Sequence, residues 1–177
     1  SLTTEIITPI GGIIETNEGI KITFPVNAVS VNTEVSIGFS GSEPTTFPNP
    51  NVEILGKAFT IKIAANSLNQ SAILEIPKPL GYTNTDQTVI VISKEGTNTY
   101  YPLFFHESGD KLIAELDEIN YQELYPSLRS NSESLYTTII FYIIKSGQIP
   151  PAIEMGLKKV NSNSDNTLSF NDVPVIN

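Results

Sequence analysis

Residues 11–29 read GGIIETNEGIKITFPVNAV, and the spacing of apolar side chains within them decides the fold class. Ile20, Ile22 and Phe24 alternate with Lys21 and Thr23, the two-residue period that sends every second side chain to the same face of a strand. Gly11-Gly12 gives the backbone the freedom to turn sharply into a strand at a sheet edge, and Gly19 allows a tight return. Pro25 has no N–H for a ladder and ends the second strand. The stretch reads as two short strands at the border of a sheet.

The same period recurs along the chain. Val35, Ile37 and Phe39 alternate with Ser36 and Gly38, Phe59, Ile61 and Ile63 with Thr60 and Lys62, and Leu112, Ala114 and Leu116 with Ile113 and Glu115. Each predicts a strand with one buried and one wet face. Residues 89–92 and 139–144 are apolar on both faces and belong in the middle of a sheet, with further strands expected at 72–76 and 99–105. Turn chemistry falls at 17–19, 40–50, 66–70, 94–98 and 107–110. Glu95-Gly96 and Ser108-Gly109-Asp110 are short enough to close hairpins. Only 117–124 has helical flavour. The pattern predicts an all-β fold, an antiparallel β-sandwich over residues 1–145. Residues 146–177, with Pro150-Pro151 and a later Asn/Ser run, read as a linker-like tail whose Ile149, Ile153, Met155 and Leu157 are placed to lie against the sandwich.

The 177 residues suffice for one hydrophobic core. A net charge of −9 repels phosphate backbones and anionic bilayers, which argues against nucleic acid as a partner. Without cysteine there is neither a disulfide framework nor thiol chemistry. The longest apolar run, IIFYII at 139–144, is strand length and far short of the roughly 20 residues of a membrane helix, so no membrane insertion is expected. The start, SLTTEIITP, lacks a signal pattern and reads as mature or trimmed. Only 16% of residues are charged, and Asn, Ser and Thr dominate the polar positions, in the manner of exported bacterial β-proteins.

Gly11, Gly12, Ile14, Gly19, Ile20, Ile22, Phe24, Pro25, Ala28 and Val29 together resemble the opening of the ZU5 domain family: two glycines, a short strand, a glycine turn, an alternating strand, proline, and a turn of small residues. Asn51-Val52-Glu53-Ile54, with Gly56 and Phe59, resembles the family segment leading into a strand that ends near Ile63. Residues 89–94 and 100–103 resemble the hairpin where such domains carry an aromatic. The likeness spans about residues 8–125. It implies a non-catalytic sandwich that packs against a neighbouring domain or another protein, within an exported or cell-surface bacterial multidomain protein. Such domains sometimes precede a hydrolase, and residues 172–176 resemble the first strand of a lipase-like α/β-hydrolase. The nucleophile elbow G-x-S-x-G is absent from the sequence itself. One subset of the family cleaves itself at a His-Phe-Ser. The matching place here, Glu118-Ile119-Asn120, has none of the three, and Phe105-His106-Glu107-Ser108 holds similar letters in another order, so self-cleavage is not expected.

Other candidate chemistry is sparse. His106 is the sole histidine, and a strand-end surface residue accounts for it as well as any ligand role. Glu115 and Asp117 fall on one strand face near Glu118 and Glu123; a glycosidase pair and a solvated strand end are both compatible with that spacing. Asn161, Asn163, Asp165, Asn166, Leu168 and Asp172 fall at places 1, 3, 5, 6, 8 and 12 of a calcium loop, but with Asn where Asp and Gly are wanted. A polar linker explains the same letters. Tyr100, Tyr101, Tyr121, Tyr125, Tyr136 and Tyr142 can form a sugar-stacking platform or pack on the sheet. Asn69-Gln70-Ser71 matches a glycosylation acceptor. No catalytic, cofactor-binding or metal-binding residue is assigned. The expected role is a non-catalytic interaction module presenting loops such as 40–53 and 125–136; the alternatives are a carbohydrate-binding module with a glycan partner, or the N-terminal, non-catalytic domain of a secreted lipase-like hydrolase.

Overall fold

The computed structural model describes residues 1–39, 52–65, 68–94, 101–116 and 136–146. These form eleven strands: β1 (Leu2–Ile7), β2 (Gly12–Glu15), β3 (Lys21–Phe24), β4 (Thr33–Gly38), β5 (Val52–Ile63), β6 (Ala72–Pro77), β7 (Thr88–Lys94), β8 (Tyr101–Leu103), β9 (Phe105–Ser108), β10 (Lys111–Leu116) and β11 (Tyr136–Ser146). β11 therefore runs one residue past the boundary drawn at 145. Among the described residues the only helical element is a single 3-10 turn, Thr85–Gln87, which Asn84 caps by accepting the Gln87 N–H at 3.0 Å.

The strands build two antiparallel sheets, ordered β1-β4-β5-β11-β7-β8 and β2-β3-β6-β10-β9. Alternation decides which residues meet. In the first sheet Leu55, Ile143, Ile90 and Leu103 are successive cross-strand neighbours. In the second, Ile14, Ile22, Leu74 and Ala114 form the matching row. Both rows are buried and belong to one apolar cluster, which makes this an all-β sandwich. Phe39 and Phe59 add a tilted ring pair, centroids 5.9 Å apart. β7 lies in the interior of its sheet with Val89, Ile90, Val91 and Ile92 all buried, as its two-faced apolar run predicts.

The opening stretch behaves as its residues dictate. Gly11 takes φ +99° immediately before edge strand β2, and Gly19 takes φ +89° in the β2–β3 hairpin. There the Gly19 N–H reaches the Thr16 carbonyl at 3.0 Å, the Thr16 N–H donates to Ile20 O at 2.9 Å, and the Thr16 side-chain Oγ1 accepts the Ile20 N–H at 3.2 Å. β3 stops before Pro25, and Asn27, at φ +65°, completes a turn closed by Ala28 N–H to Pro25 O at 3.2 Å.

Two expectations need correction. Residues 99–105 do not form one strand: β8 pairs with β7 in the first sheet, whereas β9 pairs with β10 in the second. The chain changes sheets at Phe104, and Pro102 fits because β8 is an edge strand that can spare an N–H. Second, 52–54 is not a lead-in but part of β5, a twelve-residue strand broken in register. Between the pairs Phe141↔Phe59 and Ile143↔Leu55, β5 advances four positions while β11 advances two. Gly56, at φ +65°, lies in this bulge.

Candidate functional site

Two ends of the sandwich present distinct chemistry. At the first, the loops β1–β2, β3–β4 and β5–β6 converge. Asn27 N–H donates to Pro9 O at 2.8 Å, Asn69 N–H to Ala28 O at 2.9 Å, and Asn69 Nδ2 to Ser30 Oγ at 2.9 Å. These bonds fix loops from both sheets as one surface. Its tips are apolar: Ile10 is 81%, Val26 60% and Val31 68% exposed. Residues 6–14, 22–33 and 68–74 contain no Asp, Glu, Lys or Arg, although the chain carries −9 overall. Among the described residues these loops hold large aliphatic side chains outward as an apolar patch.

At the opposite end the two sheets part slightly. Ile20, Phe39, Leu55, Phe59, Ile76 and Ile143 floor a pocket of about 190 Å³, and Glu18, Lys57 and Lys78 stand at its mouth. The backbone creates this opening. The β5 bulge sets Gly56 against Pro79, where an added Cβ would lie 3.1 Å from the proline ring. Pro79 begins a turn in which Gly81 takes φ +90° and the Tyr82 N–H returns to Pro79 O at 3.0 Å, the requirement of a type II turn for glycine at its third position.

The same turn carries a small polar cluster. Lys78 N–H donates to Asp110 O at 2.9 Å, docking the turn on the β9–β10 hairpin. The Tyr82 hydroxyl donates to Glu107, whose other oxygen accepts the Lys78 ammonium at 3.4 Å, and that ammonium lies 5.4 Å from the Tyr82 ring centre. Burial first, then the bond to Glu107 and its charge, push the phenol well above its ordinary range. The phenol's hydrogen bond, aided by Lys78, holds the Glu107 carboxyl below the ordinary carboxylate range. The arrangement is a latch between loops. Its carboxylate is exposed.

Among the described residues, His106, Glu115 and Asn69 share no hydrogen bond with one another. His106 is exposed on edge strand β9, cross-strand from Ile113. Glu115 is exposed on β10 opposite Ile73. Asp117, Glu118 and Glu123, the 161–172 segment, Tyr100, Tyr121 and Tyr125 lie outside the described residues, as do 40–51 and 125–135. The backbones of Tyr101, Tyr136 and Tyr142 lie in β8 and β11. Asn69 is exposed. Among the described residues no group of three or more His, Cys, Asp or Glu can hold a metal ion, and no helix is long and apolar enough to cross a membrane. Tyr82, Lys78 and Glu107 are new from the structure; the only sequence signal was the Pro79-Leu80-Gly81 turn that places the tyrosine.

No protein-family model matches the chain, and no curated protein matches it.

Proposed function

We propose that this chain is a non-catalytic interaction module, a ZU5-like β-sandwich serving an exported or cell-surface bacterial multidomain protein, and that it docks a neighbouring domain or a partner protein through the loops that carry Ile10, Val26 and Val31. The observation that carries this reading is the exposure of Ile10, Val26 and Val31 on loops that backbone hydrogen bonds hold in place. A rigid scaffold that displays apolar loop tips loses little conformational entropy on binding. Covering the three side chains contributes roughly 3–6 kcal/mol gross, at about 1–2 kcal/mol for each partly exposed aliphatic group. That is too little for stable association alone, so the surrounding Asn, Ser and Thr side chains have to share the interface.

The test is position-specific photocrosslinking in cells producing the intact protein. A photoreactive residue at 10, 26 or 31 is expected to trap one polypeptide, or another domain of its own chain. The same residue at Thr4 or Glu115, on the outer sheet faces, is expected to trap none. Equal capture at all five positions, or none at the three loop tips, would remove the proposal.

A further inference from the structure

We infer that the pocket beside Pro79 is a binding site for a small monocarboxylate with an aliphatic or single-ring body. Three observations converge on that ligand. The first is size: about 190 Å³ exceeds the ~150 Å³ at which a dry cavity lined by aliphatic and aromatic side chains already takes up benzene, and it holds a chain of about six carbons. The second is access. Four of the floor residues, Ile20, Phe39, Leu55 and Ile143, keep 5–6% exposure, while Phe59 and Ile76 beneath them are 1% and 2% exposed. Solvent therefore reaches the floor, and an apolar body entering there removes both its own and the protein's apolar surface from water.

The third is charge. Lys78 is held by Glu107, and Glu18 accepts a hydrogen bond from the Ser1 hydroxyl at 3.3 Å. Lys57 has no ion-pair partner among the described residues, and this exposed residue lines the pocket. A carboxylate head there meets an ammonium while the body fills the opening. A cationic head meets the same ammonium unfavourably and has only the exposed Glu18 carboxylate in its favour. Behind the pocket, Gly56 and Gly81 sit at positive φ and closely approach the Pro79 ring and the Leu55 side chain respectively.

The experiment is a titration of the whole chain with hexanoate, hexanol and hexylammonium, followed by methyl NMR. Hexanoate is expected to shift the methyls of Ile20, Leu55, Ile76 and Ile143 saturably in the millimolar range, the weak affinity natural to so few heavy atoms. Hexanol is expected to bind less tightly and hexylammonium least. Lys57→Glu, an exposed change that leaves the core intact, is expected to weaken hexanoate roughly three- to fivefold, as befits one surface charge. It is expected to strengthen hexylammonium and leave hexanol unmoved. Leu55→Phe is expected to abolish the hexanoate shifts while the distant Leu74 and Leu112 methyls keep their native positions. Absence of saturable shifts at the four floor methyls overturns the inference, as does an affinity indifferent to the head group in both the native chain and the Lys57 variant.

Discussion

Replacing Gly11 with alanine tests the corner from which the fold can be read. Gly11 sits at φ +99°, where an L-residue costs about 1–2 kcal/mol. The added methyl would stand 2.6 Å from the Phe24 carbonyl oxygen and 3.1 Å from the Pro25 carbonyl carbon. Both are backbone atoms, so no rotamer change relieves the contact. The corner has to open, and the bonds that close it, Gly11 N–H to Thr8 O at 2.9 Å and Asn27 N–H to Pro9 O at 2.8 Å, are worth about 1 kcal/mol each. Alanine also stiffens the unfolded chain, returning about 0.4–1 kcal/mol. The expected net loss is roughly 2–4 kcal/mol. Gly109→Ala is the control. Gly109 has φ +59° in the β9–β10 hairpin, but nothing lies within 4 Å of its added methyl. Backbone strain remains without the collision, for a loss of at most about 1.5 kcal/mol. Urea unfolding followed by circular dichroism measures both. Thermal melts should fall by about 5–15 °C for Gly11→Ala, at about 2–4 °C per kcal/mol for a chain of this size. If the two variants lose the same stability, the collision has been misjudged and the corner is not a close-packed element.

Leu74→Ala, which empties a fully buried position in the second sheet, is expected to cost about 3–5 kcal/mol with an unchanged denaturant slope in the same unfolding assay. Thr88→Val is expected to raise stability by about 1 kcal/mol, because the Thr88 hydroxyl is buried without a hydrogen-bond partner among the described residues; a destabilised variant in urea titration would reveal a partner for it. The latch predicts a pH signature for Tyr82→Phe. Glu107 titrates below its ordinary 4.5 in the folded chain, so its contribution is present above that value and fades as pH falls through the lowered pKa. Tyr82 titrates above its ordinary 10.0, so its contribution is complete below pH 10 and fades as pH rises beyond it. The stability difference between native and Tyr82→Phe chains, from melts across pH, should be level between these limits and shrink outside them.

Where an alternating run has one partner face, the sequence shows it plainly. Residues 20–24, 35–39, 59–63 and 112–116 place their apolar members inward as their spacing requires. β1 escapes that logic. Its Leu2 and Ile6 are exposed, Thr3 and Glu5 on the other face are polar, and only Ile7 at the strand's end is buried, so its apolar side chains do not mark a single inner face. The sheet order was equally hidden. Nothing local in 139–144 says that β11 lies between β5 and β7, because strand pairing is a long-range choice among similar apolar runs. The split of 99–105 rests on one residue, Phe104, with no glycine to announce it. Of the two ends, the uncharged loops are visible as letters, whereas the pocket is a gap between layers created by a bulge at Gly56 that alternation alone does not foresee.

The crossing at Phe104 has a mechanical consequence. One continuous length of chain is hydrogen-bonded first to β7 and then to β10, and the β1–β2 corner joins the two layers again through the Thr8↔Gly11 bridge. The layers are thus stitched covalently along both margins. Tension that would slide one past the other has to rupture several ladder bonds at once rather than peel them singly, so under load the body should yield abruptly, as a unit, in single-molecule pulling.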